Sequence, residues 1–444
     1  MLNEETELIV RVGPGTPMGE MLRRYWIPAM LAEELPEPDG APKKIRLLGE
    51  DLVAFRDTSG RVGIMDIQCP HRLASLALGR NEEGGIRCIY HGWKIDVEGH
   101  VLETPCEAPN SRFKDSFVHT AYEVRENADL IWVYMGPKDT IPPLPEFNWQ
   151  LVPPSHRSIG KIWESCNFIQ AMEGLMDTYH SQLLHSGFEV LGWSKEKIAD
   201  VWKRPSRVSY GVIRSEETPY GFHYGAIREP LKDAETTDHI RITEYVAPFF
   251  CMNPPDLGAS SKPFIFVPID DENTMLYEVV AAEESIEQGL RIGTNYFASN
   301  EPIDHEDHLR RSTMRVGPDL FEDYKPKRNA ANSYQQSREL MNQREKTNAF
   351  SGIDGGVQTQ DLAMIESMGV IENRSKEHLG SSDLAVIAWR KRLVAAVHNF
   401  VEKGELMALS EPVDYRSVRA VSALVPKGSE WKESAWTARV PAHR

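Results

Sequence analysis

The chain has 444 residues, 41% of them hydrophobic, and carries 50 basic and 66 acidic side chains for a formal charge of −16. This length and apolar content suit two or more domains with cores of their own rather than a disordered chain, and the charge excludes general affinity for phosphate backbones or anionic membranes, so neither nucleic acid nor membrane is an expected partner. Five cysteines, an odd and sparse set in a large acidic chain, argue against a disulfide framework; with no basic-then-apolar leader and no membrane-length apolar run, the sequence reads as cytoplasmic.

Taken in chain order, residues 1–44 form an N-terminal segment in which RVGPGTPMGE precedes MLRRYWIPAML, a loop entering a short helix or irregular stretch. Gly13, Gly15 and Gly19 miss the dinucleotide fingerprint by one residue, and Pro14 and Pro17 remove amide donors, so the cluster reads as structural. From 45 to about 135 the runs are short and β-like (KIRLLGEDLVAFRD, GRVGIMDI, GIRCIY, WKIDVEGHV, TAYEVRENADLIWVYMG), separated by turn signals such as Glu82-Glu83-Gly84-Gly85. The proline-rich connector 136–154 divides a β domain, 45–150, from a second domain, 151–444. There a helical stretch at 165–186 is followed by strand-like runs VSYGVIR, GFHYGAIR, HIRITEYVA, PFIFVPI and TMLYEVVAA, which predict an antiparallel sheet. Helices are expected at 304–325, 359–369 and 383–403, the last ending at Lys403-Gly404, so this domain is α+β.

Two constellations carry chemistry. The β domain holds Cys69-Pro-His71 and, after sixteen residues, Cys88-Ile-Tyr-His91; with five cysteines and fourteen histidines in the chain, fewer than one pair of either spacing is expected by chance. One Cys and one His from each of two loops is the donor set of a [2Fe–2S] centre with thiolates on one iron and imidazoles on the other. The competing reading is a Cys2His2 zinc site, against which stands the lack of a zinc-finger helix. Cys106, Cys166 and Cys251 lack partners at metal spacing and read as buried thiols.

The second constellation is Asp177, His180 and His185. Three helical residues turn through about 300° and share a face, whereas five turn through about 500° and set His185 some 140° away. A widened turn, or a helix that loosens before Ser186-Gly187, would bring both imidazoles to one metal. Two histidines and a carboxylate leave positions free on a non-haem iron that activates dioxygen; the carboxylate is either Asp177 or one farther along, and Asp361 in VQTQDLAMIESMG is preferred, with Asp177 left to hydrogen-bond a ligand imidazole.

Together these motifs, with the stretches RVGPGTPMGEMLRRYW, CPHRLASLALGRNEEGGIRCIYHGWKIDVEG, QAMEGLMDTYHSQLLH and QDLAMIESMGVIENRSKEHLGSSDLAV, resemble the terminal oxygenase (alpha) subunits of Rieske non-haem iron ring-hydroxylating oxygenases, in the phthalate dioxygenase branch. The resemblance implies an N-terminal Rieske β domain and a C-terminal helix-grip (START/Bet v1-like) catalytic domain. It implies cluster ligands Cys69, His71, Cys88 and His91, and mononuclear iron ligands His180, His185 and Asp361. Asp177 would bridge the cluster of one subunit and the iron of its neighbour, in a homotrimer or stacked trimers. Glu173 stands where other branches often carry an asparagine near the iron, which leaves its role open. A separate NAD(P)H-dependent flavin and iron–sulfur reductase would supply electrons singly, the cluster storing one and the ferrous iron contributing the other to activate O2.

For substrate, Arg228 and Arg241 lie in strand runs that line the family's pocket, and a guanidinium suits bidentate capture of a carboxylate; the expected substrate is an aromatic carboxylate, against the alternative that either arginine is merely solvated. Cis-dihydroxylation is preferred to monooxygenation with O-demethylation or ether cleavage. An electron carrier without catalysis is the remaining alternative.

Overall fold

The structure, a computed structural model, describes residues 3–108, 110–185, 211–230, 232–254, 262–281, 283–284, 291–292, 303–343 and 349–437. The chain separates into two compact units, one of residues 11–145 and 267–271, the other of residues 1–10, 146–266 and 272–444.

In the first unit β1 (Trp26–Leu31), β2 (Lys43–Leu47), β3 (Glu50–Arg56), β4 (Val62–Asp66), β5 (Arg80–Glu82), β6 (Gly85–Arg87), β7 (Lys94–Ile95), β8 (Val101–Glu103), β9 (Glu123–Asn127) and β10 (Leu130–Tyr134) form three sheets, ordered β1-β10-β9, β2-β3-β4 and β5-β6-β7-β8. Three hairpins turn on two residues with positive φ, Leu48-Gly49, Glu83-Gly84 and Ala128-Asp129, the loop whose twist matches that of the strands it joins. Alternate residues meet in a core of Val53, Phe55, Met65, Leu76, Ile86, Trp93 and Ile95, into which Cys69 and Cys88 are also packed. The Trp26–Leu31 stretch, expected as helix or irregular chain, is a buried strand paired with β10. Its apolar run has no period to separate helix from strand, and Pro28, which cannot donate to a ladder, sits where the register shifts.

The second unit is built on an eight-stranded sheet of β11 (Arg157–Glu164), β12 (Val212–Thr218), β13 (Gly221–Arg228), β14 (Thr237–Val246), β15 (Phe250–Asn253), β16 (Lys262–Pro268), β17 (Thr274–Ala281) and the late strand Val421–Pro426. The order is β11-β17-β16-β15-β14-β13-β12, with the late strand on β14. Ile240 and Ile242 pack on one face of β14 with Ala423, Val425 and Ala435. The long helix Leu384–Lys403 grips the sheet through Trp389, whose ring meets Tyr245 edge-on at 5.5 Å, and Gly404 ends it with φ of 71°, the left-handed cap a glycine permits.

The helix expected at 304–325 is only His305–Arg311: Thr313 and Gly317 take positive φ, and Pro318 follows, so the helical ladder cannot continue. Residues 208–210 of the VSYGVIR run and Ser186-Gly187 lie outside the described residues. Among the described residues no helix is long and apolar enough to cross a membrane.

Candidate metal centres

The two Cys–His loops have one construction. The Cys69 amide donates to the Ala74 carbonyl and the Leu73 amide to the Cys69 carbonyl; the Cys88 amide donates to the Trp93 carbonyl and the Gly92 amide to the Cys88 carbonyl. Each cysteine thus opens a loop closed four and five residues on, and the fourth residue, Leu73 or Gly92, has positive φ (61° and 76°). A Cβ on Gly92 would also press on Pro105 at 3.1 Å.

The loops set the His71 and His91 rings 4.4 Å apart, with His71 stacked on Trp93 at 4.7 Å and 7°. Both thiols are buried while both imidazoles reach the surface layer. Burial, with the neighbouring Cys88, pushes the Cys69 thiol up to about 11, so a thiolate pair here calls for a cation beside it. Among the described residues these four donors do not gather within 4.8 Å of one another as a single-ion site does. That suits donors divided between two irons and disfavours one zinc. Cys106, expected to be buried, is exposed, its thiol 3.7 Å from the His91 carbonyl; Cys166 and Cys251 are buried.

In the second unit the helical stretch expected at 165–186 breaks. The helix Phe168–Met176 ends at Asp177, whose backbone is extended, and a separate helix, His180–Leu184, begins three residues on. Asp177 makes the break: its carboxylate accepts the Tyr179 amide at 2.8 Å and the His180 amide at 3.3 Å, a side chain competing with the helical ladder. His180 opens the second helix and His185, still in the right-handed helical region, caps it; the two imidazoles sit 5.4 Å apart, nearly perpendicular. Asp361, from the helix Gly356–Ser367, closes the group, its Oδ1 being 3.5 Å from His180 Nε2 and 3.2 Å from His185 Nε2.

Among the described residues His180, His185 and Asp361 are the group whose ligand atoms lie within 4.8 Å of one another. Each imidazole is aimed by its other nitrogen. His180 Nδ1 faces Asp177 Oδ2 at 3.4 Å, and His185 Nδ1 bonds Gln360 Oε1 at 2.7 Å. Gln360 is itself fixed, donating to Ser351 Oγ and the Ile353 carbonyl, both at 3.1 Å. Outer hydrogen bonds of this kind set tautomer and orientation. Burial works against a charged His180, yet Asp177 and Asp361 raise its pKa overall; the field that holds a proton there also favours a divalent cation. For Asp177, burial opposes the charge, but hydrogen bonds from His180 and Tyr179 hold the carboxyl below its usual range. Sequence reasoning missed Gln360, whose one signal is its place beside Asp361.

Glu173 is taken up by two arginines. Arg390 donates to both of its carboxylate oxygens at 2.6 and 2.7 Å and Arg374 to one at 3.1 Å, all three side chains buried. Register puts Tyr224 opposite Thr243, Ala226 opposite Arg241 and Arg228 opposite His239, so these six share one face of the sheet. Arg228 is buried, with Nη2 on the carbonyl and hydroxyl of Thr178; half-buried Arg241 donates to the Pro254 carbonyl at 2.9 Å.

Residues 25–122 match the Rieske [2Fe-2S] domain, and residues 133–441 match the LigXa C-terminal domain like family. The chain is 39% identical over 97% of its length to a phthalate 4,5-dioxygenase oxygenase subunit of Pseudomonas putida, covering 94% of that protein. It belongs to the Rieske non-haem iron oxygenases, in the phthalate dioxygenase branch.

Another relative of this oxygenase, 31% identical over 90% of its length and 81% of the relative's, is a 5,5'-dehydrodivanillate O-demethylase oxygenase subunit from Sphingobium sp. (strain NBRC 103272 / SYK-6). In fold it is similar to dicamba monooxygenase bound to 3,6-dichlorosalicylic acid, with TM-score 0.57 at 16% identity, covering 86% of this chain and 99% of that one. As an oxygenase component it carries a Rieske cluster and a mononuclear iron, uses O2, and receives electrons originating in NAD(P)H from a separate reductase.

Proposed function

We propose that this oxygenase hydroxylates an aromatic carboxylate, with the cluster held by Cys69, His71, Cys88 and His91 and the catalytic iron by His180, His185 and Asp361. The convergence of two imidazoles and one carboxylate, each imidazole oriented from behind, carries the reading. When bound, the two metal groups supply one-electron transfer and dioxygen activation. The protein's own residues do the rest. Asp177 holds the proton on His180 Nδ1, leaving Nε2 free to ligate; Gln360 does the same for His185. Asp177 further serves as the bridge to the cluster of a neighbouring subunit, in a cytoplasmic homotrimer or stacked trimers whose chain divides into 1–44, 45–150 and 151–444.

Arg241 supplies the carboxylate contact. It lies on the sheet face whose Tyr224 and Arg228 reach the turn before His180, opposite the small Ala226, and Arg228 adds a second positive charge behind it. The relatives' names, phthalate and dehydrodivanillate, both denote aromatic carboxylates. Cis-dihydroxylation is the preferred outcome; O-demethylation is the second reading, favoured by the demethylase relative. A product screen of benzoates, phthalates and methoxybenzoates with a surrogate reductase tests this: a diol or a phenol plus formaldehyde from an acid supports it, and turnover of neutral arenes with no acid oxidised contradicts it.

A further inference from the structure

Two side chains of β13 hold the turn that carries Asp177. Tyr224 donates its hydroxyl to the Met176 carbonyl at 2.6 Å, and Arg228 donates Nη2 to the Thr178 carbonyl and hydroxyl at 2.5 and 2.6 Å. Four residues apart on one strand, they point the same way and grip the peptide groups on either side of Asp177. Both are buried, and the Arg228 guanidinium lies 5.1 Å from the centre of the Tyr179 ring. Among the described residues no carboxylate forms an ion pair with Arg228, although a buried cation is costly without one. Burial and the nearby charge of Arg241 lower its pKa only to about 10, so it stays charged at neutral pH, and charged donors make the stronger hydrogen bonds.

We infer that Arg228, backed by Tyr224, is a positioning residue: it locks the 176–179 turn so that the Asp177 carboxylate stays on His180 Nδ1, and it acts on turnover through Asp177 and His180 more than through contact with substrate. This rests on the roles proposed above for Asp177 and His180.

The test compares Arg228→Met, Arg228→Lys and Tyr224→Phe with the parent protein. In iron-free protein, hydrogen exchange of the Tyr179 and His180 amides, which bond Asp177, should quicken about tenfold in Arg228→Met and less in Tyr224→Phe, with β14 amides unchanged. In loaded enzyme with a surrogate reductase, kcat should fall about tenfold in Arg228→Met while KM for the aromatic acid stays within about twofold, and Arg228→Lys, which keeps a charged donor, should recover part of the loss. Unchanged exchange overturns the clamp, and a raised KM at unchanged kcat overturns it in favour of direct substrate binding. If Arg228→Met does not fold, Tyr224→Phe decides by the same readouts. His180→Ala is the control: retained iron there defeats the assignment of the iron site, while the exchange result still decides the clamp.

Discussion

The two sites are assembled in opposite ways. The Cys69–His71 and Cys88–His91 loops are local constructions in a small β unit, each closed by its own backbone hydrogen bonds and packed into the same core as its cysteines. The trio in the second unit joins residues far apart in the chain, and its aim depends on long-range contacts: His185 to Gln360, 175 residues away, and Thr178 to Arg228. A local site fails with its fold, whereas a distributed one can lose its metal or its aim while the fold survives.

The sharpest break is therefore a pair of ligand changes. Asp361→Ala should abolish oxygenation and remove the mononuclear iron while leaving the cluster's visible spectrum intact. Cys88→Ser should remove the cluster and, because Cys88 lies in the core, lower the melting temperature as well; retention of both metals by either variant would contradict the assignment. Next in size, Asp177→Asn keeps shape but removes charge: metal content should be unchanged and turnover lower by roughly 100-fold, the upper end of what outer-shell partners contribute. Arg241→Met should weaken binding of an aromatic acid by about 10- to 100-fold, the worth of a charged hydrogen bond, as titration of the resting enzyme would show. Smallest, Gln360→Leu removes the partner of His185 Nδ1 together with the bonds to Ser351 and Ile353 that hold Gln360 in place, and iron affinity should fall about tenfold, measured by competition with a chelator.

The same contrast explains what could be read from residues alone. The two like Cys–His loops were legible because their spacing alone sets them apart, and the hairpin turn at Glu83-Gly84 because glycine marks it; the turn at Leu48-Gly49 lay hidden inside KIRLLGEDLVAFRD, which read as one β-like run. Asp361 came through resemblance, since nothing local says that a helix so far along closes on His180. The break at Asp177 was hidden because periodicity cannot see a side chain taking the amides of Tyr179 and His180. Glu173 could not be placed without Arg374 and Arg390, which approach from later elements. The strand at Trp26–Leu31 needed its partner β10, for its own apolar run fits either element.

A single turnover tests most directly that two centres within this oxygenase cooperate. Protein loaded with both metals, fully reduced, freed of reductant and then given O2 and an aromatic acid it turns over should form oxidised product with no reductase present, as the cluster loses its reduced spectrum, and Asp361→Ala should form none. No product from the loaded parent protein, or equal product from Asp361→Ala, would contradict the account.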